Sequence, residues 1–139
     1  MITAKKYYIV DDDLDDQQFL IEALTENDAT VECTTATNGQ EAIDNLKKIG
    51  CLLPDAIFLD QNMPGLNGKQ CLLELKSTAS LKHIPVIMYS TSIDSQERET
   101  CLKIGAFYFL VKSFSYQKLK KDLLVIAVAL NMAQESLID

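Results

Sequence analysis

The feature that most constrains the fold is a regular alternation of short apolar runs with longer amphipathic segments. Five of the runs are rich in β-branched or aromatic residues and have the length of buried strands. Because strands that alternate with helices usually pair in parallel, this pattern predicts a parallel sheet with helices on both faces. The strand-like runs are KYYIV, TVECTTA, DAIFLD, IPVIMYS and FYFLV.

The segments that follow these runs predict five helices, because their apolar residues recur at helical spacing. Gly50 is expected to end the second helix, and Cys101, Leu102 and Ile104 to face inward from the fourth. A chain of 139 residues, 47% of them hydrophobic, has the size of one domain with a core. We therefore expect residues 1–139 to form a single domain without a separate output domain. The helical segments are DDQQFLIEALTEN, NGQEAIDNLKKIG, GKQCLLELKSTAS, DSQERETCLKIGA and SYQKLKKDLLVIAVALNMAQESLID.

Charge and composition argue against several classes of protein. The net charge of −7 argues against binding of nucleic acid through a basic surface. No apolar run reaches about 18 residues, so no membrane-spanning helix is expected, and the first residues do not resemble a signal peptide. The cysteines form no CxxC pair and have no neighbouring histidines, which favours reduced thiols in the cytoplasm over a zinc site. They are Cys33, Cys51, Cys71 and Cys101.

Polar residues stand where the predicted strands end. Ligands of parallel α/β sheets bind at the carboxyl ends of the strands, so these residues are expected to meet at one edge. Crowded carboxylates repel one another and favour a divalent cation, and a set of oxygen ligands suits Mg²⁺. A metal, a lysine and a hydroxyl group can together hold a phosphoryl group. The residues at the strand ends are Asp11, Asp12, Asp60, Ser90, Thr91 and Lys112.

Asp60 is the strongest candidate for chemistry, because it ends a buried run and precedes a turn-rich segment. An aspartate can attack phosphorus and form an acyl phosphate, whose lability suits a reversible mark. By contrast, Asp13, Asp15 and Asp16 are interpreted as capping and helix-start charges rather than as ligands.

Four segments in combination resemble those of a response-regulator receiver domain of two-component signalling. The resemblance covers nearly the whole chain and is to single-domain, chemotaxis-receiver-like proteins. The acidic run and YSTSID resemble the regulators that are paired with phytochrome-type kinases. The resemblance implies a flavodoxin-like α/β fold, with a doubly wound five-stranded parallel sheet in the order 2-1-3-4-5 and five helices. The segments are YYIVDDD, FLDQNMPGLNG, PVIMYST and GAFYFLVKSF.

The resemblance implies a phosphorylation site and a metal site. Asp60 takes the position of the phosphoacceptor, and Lys112 that of the phosphate-binding lysine. Asp12 takes the position of the direct Mg²⁺ ligand, and Asp11 that of a neighbour acting mostly through water. Asn62 takes the position whose backbone carbonyl also binds the metal, which makes Mg²⁺ the implied cofactor.

The resemblance also implies a switch. Ser90 matches the hydroxyl group that moves toward the phosphoryl group, with Thr91 as a competitor for that role. Phe109 matches the aromatic residue that then turns inward, so that the surface around helix four, strand five and helix five changes. The phosphoryl group would come from a sensor histidine kinase or a phosphotransfer protein. Asn62 and Ser92 take the positions that tune its lifetime.

The residue after Lys112 departs from the family. The family usually has proline there, commonly in a cis peptide bond, whereas this chain has Ser113. A cis bond before serine costs about 3 kcal/mol. We therefore expect a trans bond between Lys112 and Ser113, with the lysine or its loop repositioned.

The last helix is a second departure, because it is apolar on two sides. One stripe should face the sheet, and a second stripe should face solvent. An exposed apolar stripe of this kind predicts a homodimer or kinase-docking surface formed by helix five with strand five. The inner stripe is Leu119, Leu123, Ile126, Ala127 and Leu130, and the outer one is Leu124, Val125, Val128 and Met132.

Three other functions fit parts of the sequence. The missing proline would suit a degenerate receiver that acts as an adaptor without accepting phosphate. A Mg²⁺-dependent aspartyl phosphohydrolase of the haloacid-dehalogenase type needs a second aspartate two residues after the nucleophile, where Asn62 stands. A flavin or nucleotide binder needs a glycine-rich phosphate loop, whereas DDDLDD would repel phosphate. We therefore expect a signalling module that catalyses only its own phosphorylation and dephosphorylation.

Overall fold

Five strands and five helices alternate along the chain. The structure, a computed structural model, describes residues 5–48, 50, 52–91 and 94–138. The elements are β1 (Lys6–Val10), α1 (Leu14–Asn27), β2 (Glu32–Ala36), α2 (Gly39–Leu46), β3 (Ala56–Asp60), α3 (Gly68–Ser77), β4 (Val86–Ser90), α4 (Ser95–Ile104), β5 (Tyr108–Val111) and α5 (Tyr116–Ile138).

The strands form one parallel sheet in the order β2-β1-β3-β4-β5. The chain reverses its direction of winding between β1 and β3, which creates the crevice in which ligands of such sheets bind. The register pairs Val10 with Leu59 and Asp60 with Tyr89, so that β1, β3 and β4 end at nearly the same level. The fold class and strand order predicted from the sequence are confirmed.

The side chains of β3 alternate between two apolar layers, one on each face of the sheet. Ile57 and Leu59 pack in the layer covered by α2, α3 and α4. Phe58 packs in the layer covered by α1 and α5. Because β3 is buried on both faces, it reads as a continuous apolar run rather than as an alternating one.

The helix starts follow the capping residues of the sequence. Asp13 caps α1 by accepting hydrogen bonds from the backbone N–H groups of Asp15 and Asp16. Asn67 and Gln70 form a capping box at the start of α3. These caps fix the loops that carry polar residues at the ends of β1 and β3.

Two helix predictions were partly wrong. The helix α2 ends at Leu46 rather than near Gly50, because the N–H of Lys48 bonds to the carbonyl of Asn45, three residues back, which tightens the last turn. In α4, Cys101 is buried as expected, but Leu102 faces solvent with 40% of its surface exposed. Among the described residues, no helix combines the length and apolar content that crossing a membrane requires.

We expect Gly68→Ala to destabilise the fold by about 2 kcal/mol, as overpacking does elsewhere. A Cβ atom on Gly68 would lie 2.4 Å from the backbone oxygen of Asp60 and 2.6 Å from Cα of Gln61, and neither backbone atom can move freely. Chemical denaturation measures the loss. The exposed neighbour Lys69→Ala is the control, and equal midpoints for the two variants would contradict the prediction.

Candidate functional site

Three carboxylates meet where β1 and β3 end. Asp11, Asp12 and Asp60 each place one carboxylate oxygen so that all three atoms lie within 4.8 Å of one another. Asp11 is 1% exposed and Asp60 3% exposed, whereas Asp12 is open to solvent. The three residues that the sequence placed at one edge of the sheet are therefore brought together.

Backbone groups orient the two buried carboxylates. The N–H of Asp13 donates to Oδ1 of Asp11 at 2.9 Å, and the N–H of Asn62 donates to Oδ1 of Asp60 at 3.3 Å. Each bond runs from a residue two positions later, so the loop that begins after the strand holds the strand-end carboxylate. The side chain of Asn62 itself is exposed.

Lys112 follows β5 and brings the ammonium group to this cluster. Its backbone N–H donates to the carbonyl of Ser90 at 2.7 Å, which fixes the start of the lysine beside β4. Its Nζ lies 3.2 Å from Oδ1 of Asp60, 3.3 Å from Oδ2 of Asp11 and 2.9 Å from Oδ2 of Asp16. The same nitrogen lies 4.8 Å from the centre of the Tyr89 ring.

Burial and charge shift the acidities of these groups. Burial, reinforced by the charge of Asp11 and opposed by Lys112, raises the pKa of Asp60 to about 6. Burial also raises the pKa of Asp11, against the opposing effects of the Asp13 hydrogen bond and Lys112. Burial lowers the pKa of Lys112, but the carboxylates of Asp16, Asp60 and Asp11 outweigh it, and the net direction is upward. The ammonium group therefore stays charged and compensates the two buried carboxylates only in part.

The two switch candidates lie on one face of the sheet. Ser90 ends β4 and is fully buried, whereas Thr91 is exposed beside it. Phe109 pairs with Met88 across β4 and β5 and packs in the same layer as that residue, with 7% of its surface exposed. Because side chains two residues apart on a strand share a face, Ser90 projects toward this layer too.

The loop after Lys112 is ordered by serine side chains. The peptide bond between Lys112 and Ser113 is trans, as the sequence predicted. The N–H of Ser115 donates to Oγ of Ser113 at 3.0 Å, and the N–H of Lys118 donates to Oγ of Ser115 at 3.1 Å. This loop leads into α5 and still delivers the ammonium group to Asp60.

One contact of the site was not predicted from the sequence, and one predicted residue lies outside the part of the chain that the structure describes. Asp16 was assigned to the start of α1, which is correct, but its ion pair with Lys112 was not foreseen. The available signal was its place in the first turn of the helix after β1, within reach of any lysine at that edge. Ser92, which was expected to tune the lifetime of a phosphoryl group, lies outside the described residues.

A family model described as the response regulator receiver domain matches residues 8–124. The chain belongs to this family. Receiver domains act in two-component signalling, where they interact with histidine kinases or phosphotransfer proteins, and they bind Mg²⁺ at an acidic pocket. The cluster of Asp11, Asp12 and Asp60 fits that ion, since it offers only oxygen ligands.

Known proteins resemble this receiver domain in sequence and in structure. The protein-glutamate methylesterase/protein-glutamine glutaminase of Bacillus subtilis (strain 168) is 36% identical over 132 residues, which cover 90% of this chain and 35% of the methylesterase. The chain thus spans about a third of the length of the curated relatives that it matches first.

Two solved structures share the fold over most of their length. The phosphorylated cyanobacterial phytochrome response regulator RcpA is 30% identical with a TM-score of 0.80, covering 89% of this chain and 91% of that one. The Mn²⁺-bound form of the response regulator Rcp1 is 27% identical with a TM-score of 0.77, covering 88% of this chain and 91% of that one.

We expect the affinity of the receiver domain for Mg²⁺ to fall as the pH is lowered through about 6. Protonation of Asp60, whose pKa is raised to about 6, removes a negative charge from the cluster. A one-proton competition weakens binding about tenfold between pH 7 and pH 5. Isothermal titration calorimetry over this range measures the change. Asp60→Asn is the control, and an affinity for Mg²⁺ that stays constant in the wild type would contradict the prediction.

Proposed function

We propose that this receiver domain accepts a phosphoryl group on Asp60 from the histidine of a sensor kinase or a phosphotransfer protein, and that it signals by protein–protein contact. The observation that supports the proposal most is the position of Asp60. Its carboxylate is buried, lies beside Asp11 and Asp12, and contacts the ammonium group of Lys112 at 3.2 Å. A nucleophile, a group of carboxylates that can hold a metal ion, and a fixed cation are the three parts that aspartyl phosphorylation needs.

Each residue of the site has a role in the proposed transfer. An oxygen of Asp60 forms a bond to phosphorus as the bond from phosphorus to the donor histidine breaks, which leaves an acyl phosphate. Lys112 neutralises a phosphoryl oxygen. Asp11, Asp12, Asp60 and the backbone carbonyl of Asn62 would hold Mg²⁺. When bound, this ion supplies positive charge to the remaining phosphoryl oxygens.

Ser90 and Phe109 are the proposed switch. Ser90 would move its hydroxyl group toward the phosphoryl group, and Phe109 would repack in the space that is vacated. Because Phe109 is already buried in the layer under α4, the change would be a repacking of that layer rather than the burial of an exposed ring. A repacked layer would shift the surface formed by α4, β5 and α5, as a two-state element does when a local charge biases it.

The chain is proposed to act as a receiver domain that modifies no separate substrate. Its output is then contact with another protein, and the net charge of −7 argues against nucleic acid as that partner. The thiols of Cys33, Cys71 and Cys101 are free, as expected in the reducing cytoplasm where we propose that it works, while Cys51 lies outside the described residues.

The position of Lys112 supports the proposal over a degenerate receiver. That alternative rested on the missing proline after Lys112, which could have misplaced the lysine. With Ser113 and a trans bond, the ammonium group nevertheless reaches Asp60. The phosphohydrolase alternative gains nothing, because Asn62 offers no acid or base at the position where that chemistry needs one.

We also propose that α5, with β5, forms a homodimer surface. The inner stripe of α5 packs on the sheet, and Leu119, Leu123 and Ile126 are buried there. Each of the four apolar residues of the outer stripe is at least half exposed to solvent, which is unusual for a run of apolar residues on one helix. The outer stripe is Leu124, Val125, Val128 and Met132.

The first prediction from this proposal concerns phosphorylation itself. Incubation with Mg²⁺ and acetyl phosphate should add a phosphoryl-sized mass to the wild type and none to Asp60→Asn, because only the aspartate can form the acyl phosphate. Intact-protein mass spectrometry measures the gain. If the wild type bound Mg²⁺ but gained no mass from acetyl phosphate or from a histidine phosphodonor, the adaptor function would replace the proposal.

The second prediction concerns self-association. Leu124→Glu should weaken the dimer about tenfold or more, because it places a charge in an apolar interface, and tenfold corresponds to about 1.4 kcal/mol. Sedimentation of the phosphorylated and unphosphorylated protein over a range of concentrations measures the association.

The control for this experiment is Leu73→Glu on α3. Leu73 and Leu124 are exposed to similar extents, 46% and 50% respectively, so both variants carry the same chemical change on different faces. The proposed surface is wrong if both variants associate as the wild type does, or if the wild type stays monomeric in both states.

A further inference from the structure

Lys112 has one carboxylate partner that lies outside the cluster of Asp11, Asp12 and Asp60. Its Nζ is 2.9 Å from Oδ2 of Asp16, which is the shortest of its three carboxylate contacts. Asp16 lies in the first turn of α1 and does not belong to the group of carboxylates that could hold a metal, which is Asp11, Asp12 and Asp60. The ammonium group is therefore tied both to the cluster and to a separate element.

The two partners inside the cluster change during the proposed reaction. Asp60 gives up the charge of one oxygen when it becomes an acyl phosphate. Asp11 would share its carboxylate with a bound metal ion, which would compete with the ammonium group for negative charge. Asp16 lies outside the group of carboxylates that could hold a metal and has no part in the proposed transfer, so its contact with Lys112 is the one that can persist through every state of the site.

We infer that Asp16 is a positioning residue, which holds the ammonium group of Lys112 beside Asp60 while the phosphoryl group arrives and while it stays bound. This inference rests on the function proposed above. It assigns no contact with the phosphoryl group to Asp16, which acts only through Lys112.

The backbone that carries Asp16 is fixed by the cap of α1, while its side chain is 40% exposed. The backbone N–H of Asp16 donates to Oδ1 of Asp13 at 3.2 Å, within the cap of α1. Its negative charge is favoured at the N-terminus of a helix, where backbone N–H groups are directed toward it. The Tyr89 ring, 4.8 Å from Nζ, packs against the lysine from the sheet, so that the ammonium group is bounded by α1, the sheet and the cluster.

The neighbouring Asp15 shows that this is a specific contact and not a general feature of the acidic run. Asp15 carries the same charge in the same helical turn but is exposed, and among the ion pairs of the described residues Lys112 contacts only Asp11, Asp16 and Asp60. Asp15→Asn and Asp16→Asn therefore remove the same charge from nearly the same place, and only the second removes the contact.

The test measures phosphorylation of Asp60 by acetyl phosphate at saturating Mg²⁺, with the donor concentration varied. We expect Asp16→Asn to lower the maximal rate about tenfold, as a small misplacement of a catalytic group does, without raising the half-saturating donor concentration. Asp15→Asn should keep the wild-type maximal rate. Asp16→Glu should restore part of the rate, because it returns a carboxylate that can reach the lysine.

A second readout does not depend on catalysis. Fluorine NMR of the beryllofluoride complex in Mg²⁺ measures how well the site holds a phosphoryl mimic. We expect Asp16→Asn, and not Asp15→Asn, to weaken this complex about tenfold, because a loosely held ammonium group binds the mimic less well. Circular dichroism checks that each variant is folded, and Mg²⁺ titration checks that its carboxylate cluster is intact.

The outcomes separate the two proposals. A wild-type maximal rate and beryllofluoride affinity in folded Asp16→Asn would overturn the positioning role and leave the proposed function standing. A faster maximal rate in Asp16→Asn would also overturn it, since the carboxylate would then be withholding the lysine. A wild-type protein that binds Mg²⁺ but accepts no phosphoryl group from either kind of donor would overturn the proposed function, and this inference with it.

Discussion

Two buried carboxylates, those of Asp11 and Asp60, lie side by side at the end of this sheet because the ammonium group of Lys112 lies within reach of both. Removing charges from water costs several kcal/mol for each ion, and a single cation offsets this only in part. The raised pKa of Asp60, about 6, is the direct expression of that incomplete balance. A buried site with more negative than positive charge is stabilised when it binds a divalent cation. An affinity for a divalent cation would follow from this excess of buried negative charge.

The sheet makes this arrangement possible through its register. The strands β1, β3 and β4 end at nearly the same level, and the backbone of Lys112 is bonded to the end of β4. The side chain of Asp60 is therefore carried by the last residue of a buried strand, and those of Asp11, Asp12 and Lys112 by the first one or two residues after a strand. The sheet thus brings these side chains to one edge.

Much of the fold and of the candidate site could be predicted from the sequence, because strands, helices and strand ends are indicated by local patterns. Apolar runs and helical spacing gave all ten elements, and Asp11, Asp12, Asp60 and Lys112 could be placed together because parallel strands share one carboxyl edge. Helix ends were less accurate, as for α2, because they depend on hydrogen bonds that close the last turn rather than on composition.

The contact between Asp16 and Lys112 shows where such reasoning stops. Asp15 and Asp16 carry the same charge in the same helical turn, so residue type alone does not distinguish them. Which of them points at the lysine is decided by the rotation of α1 about its own axis, and that rotation is set by how its buried residues, such as Leu20 and Leu24, pack on the sheet. The orientation of a polar side chain can thus depend on apolar packing elsewhere on the same helix.

The site also draws its parts from distant points of the chain. Lys112 and Asp11, which lie 3.3 Å apart in space, are separated by 101 positions in sequence. A chain in which β5 has not yet joined the sheet has its acidic residues but not its cation at the site. Chemistry that needs both is therefore confined to molecules in which β5 has joined the sheet. A molecule that lost β5 from the sheet would lose the cation of the site and keep its carboxylates.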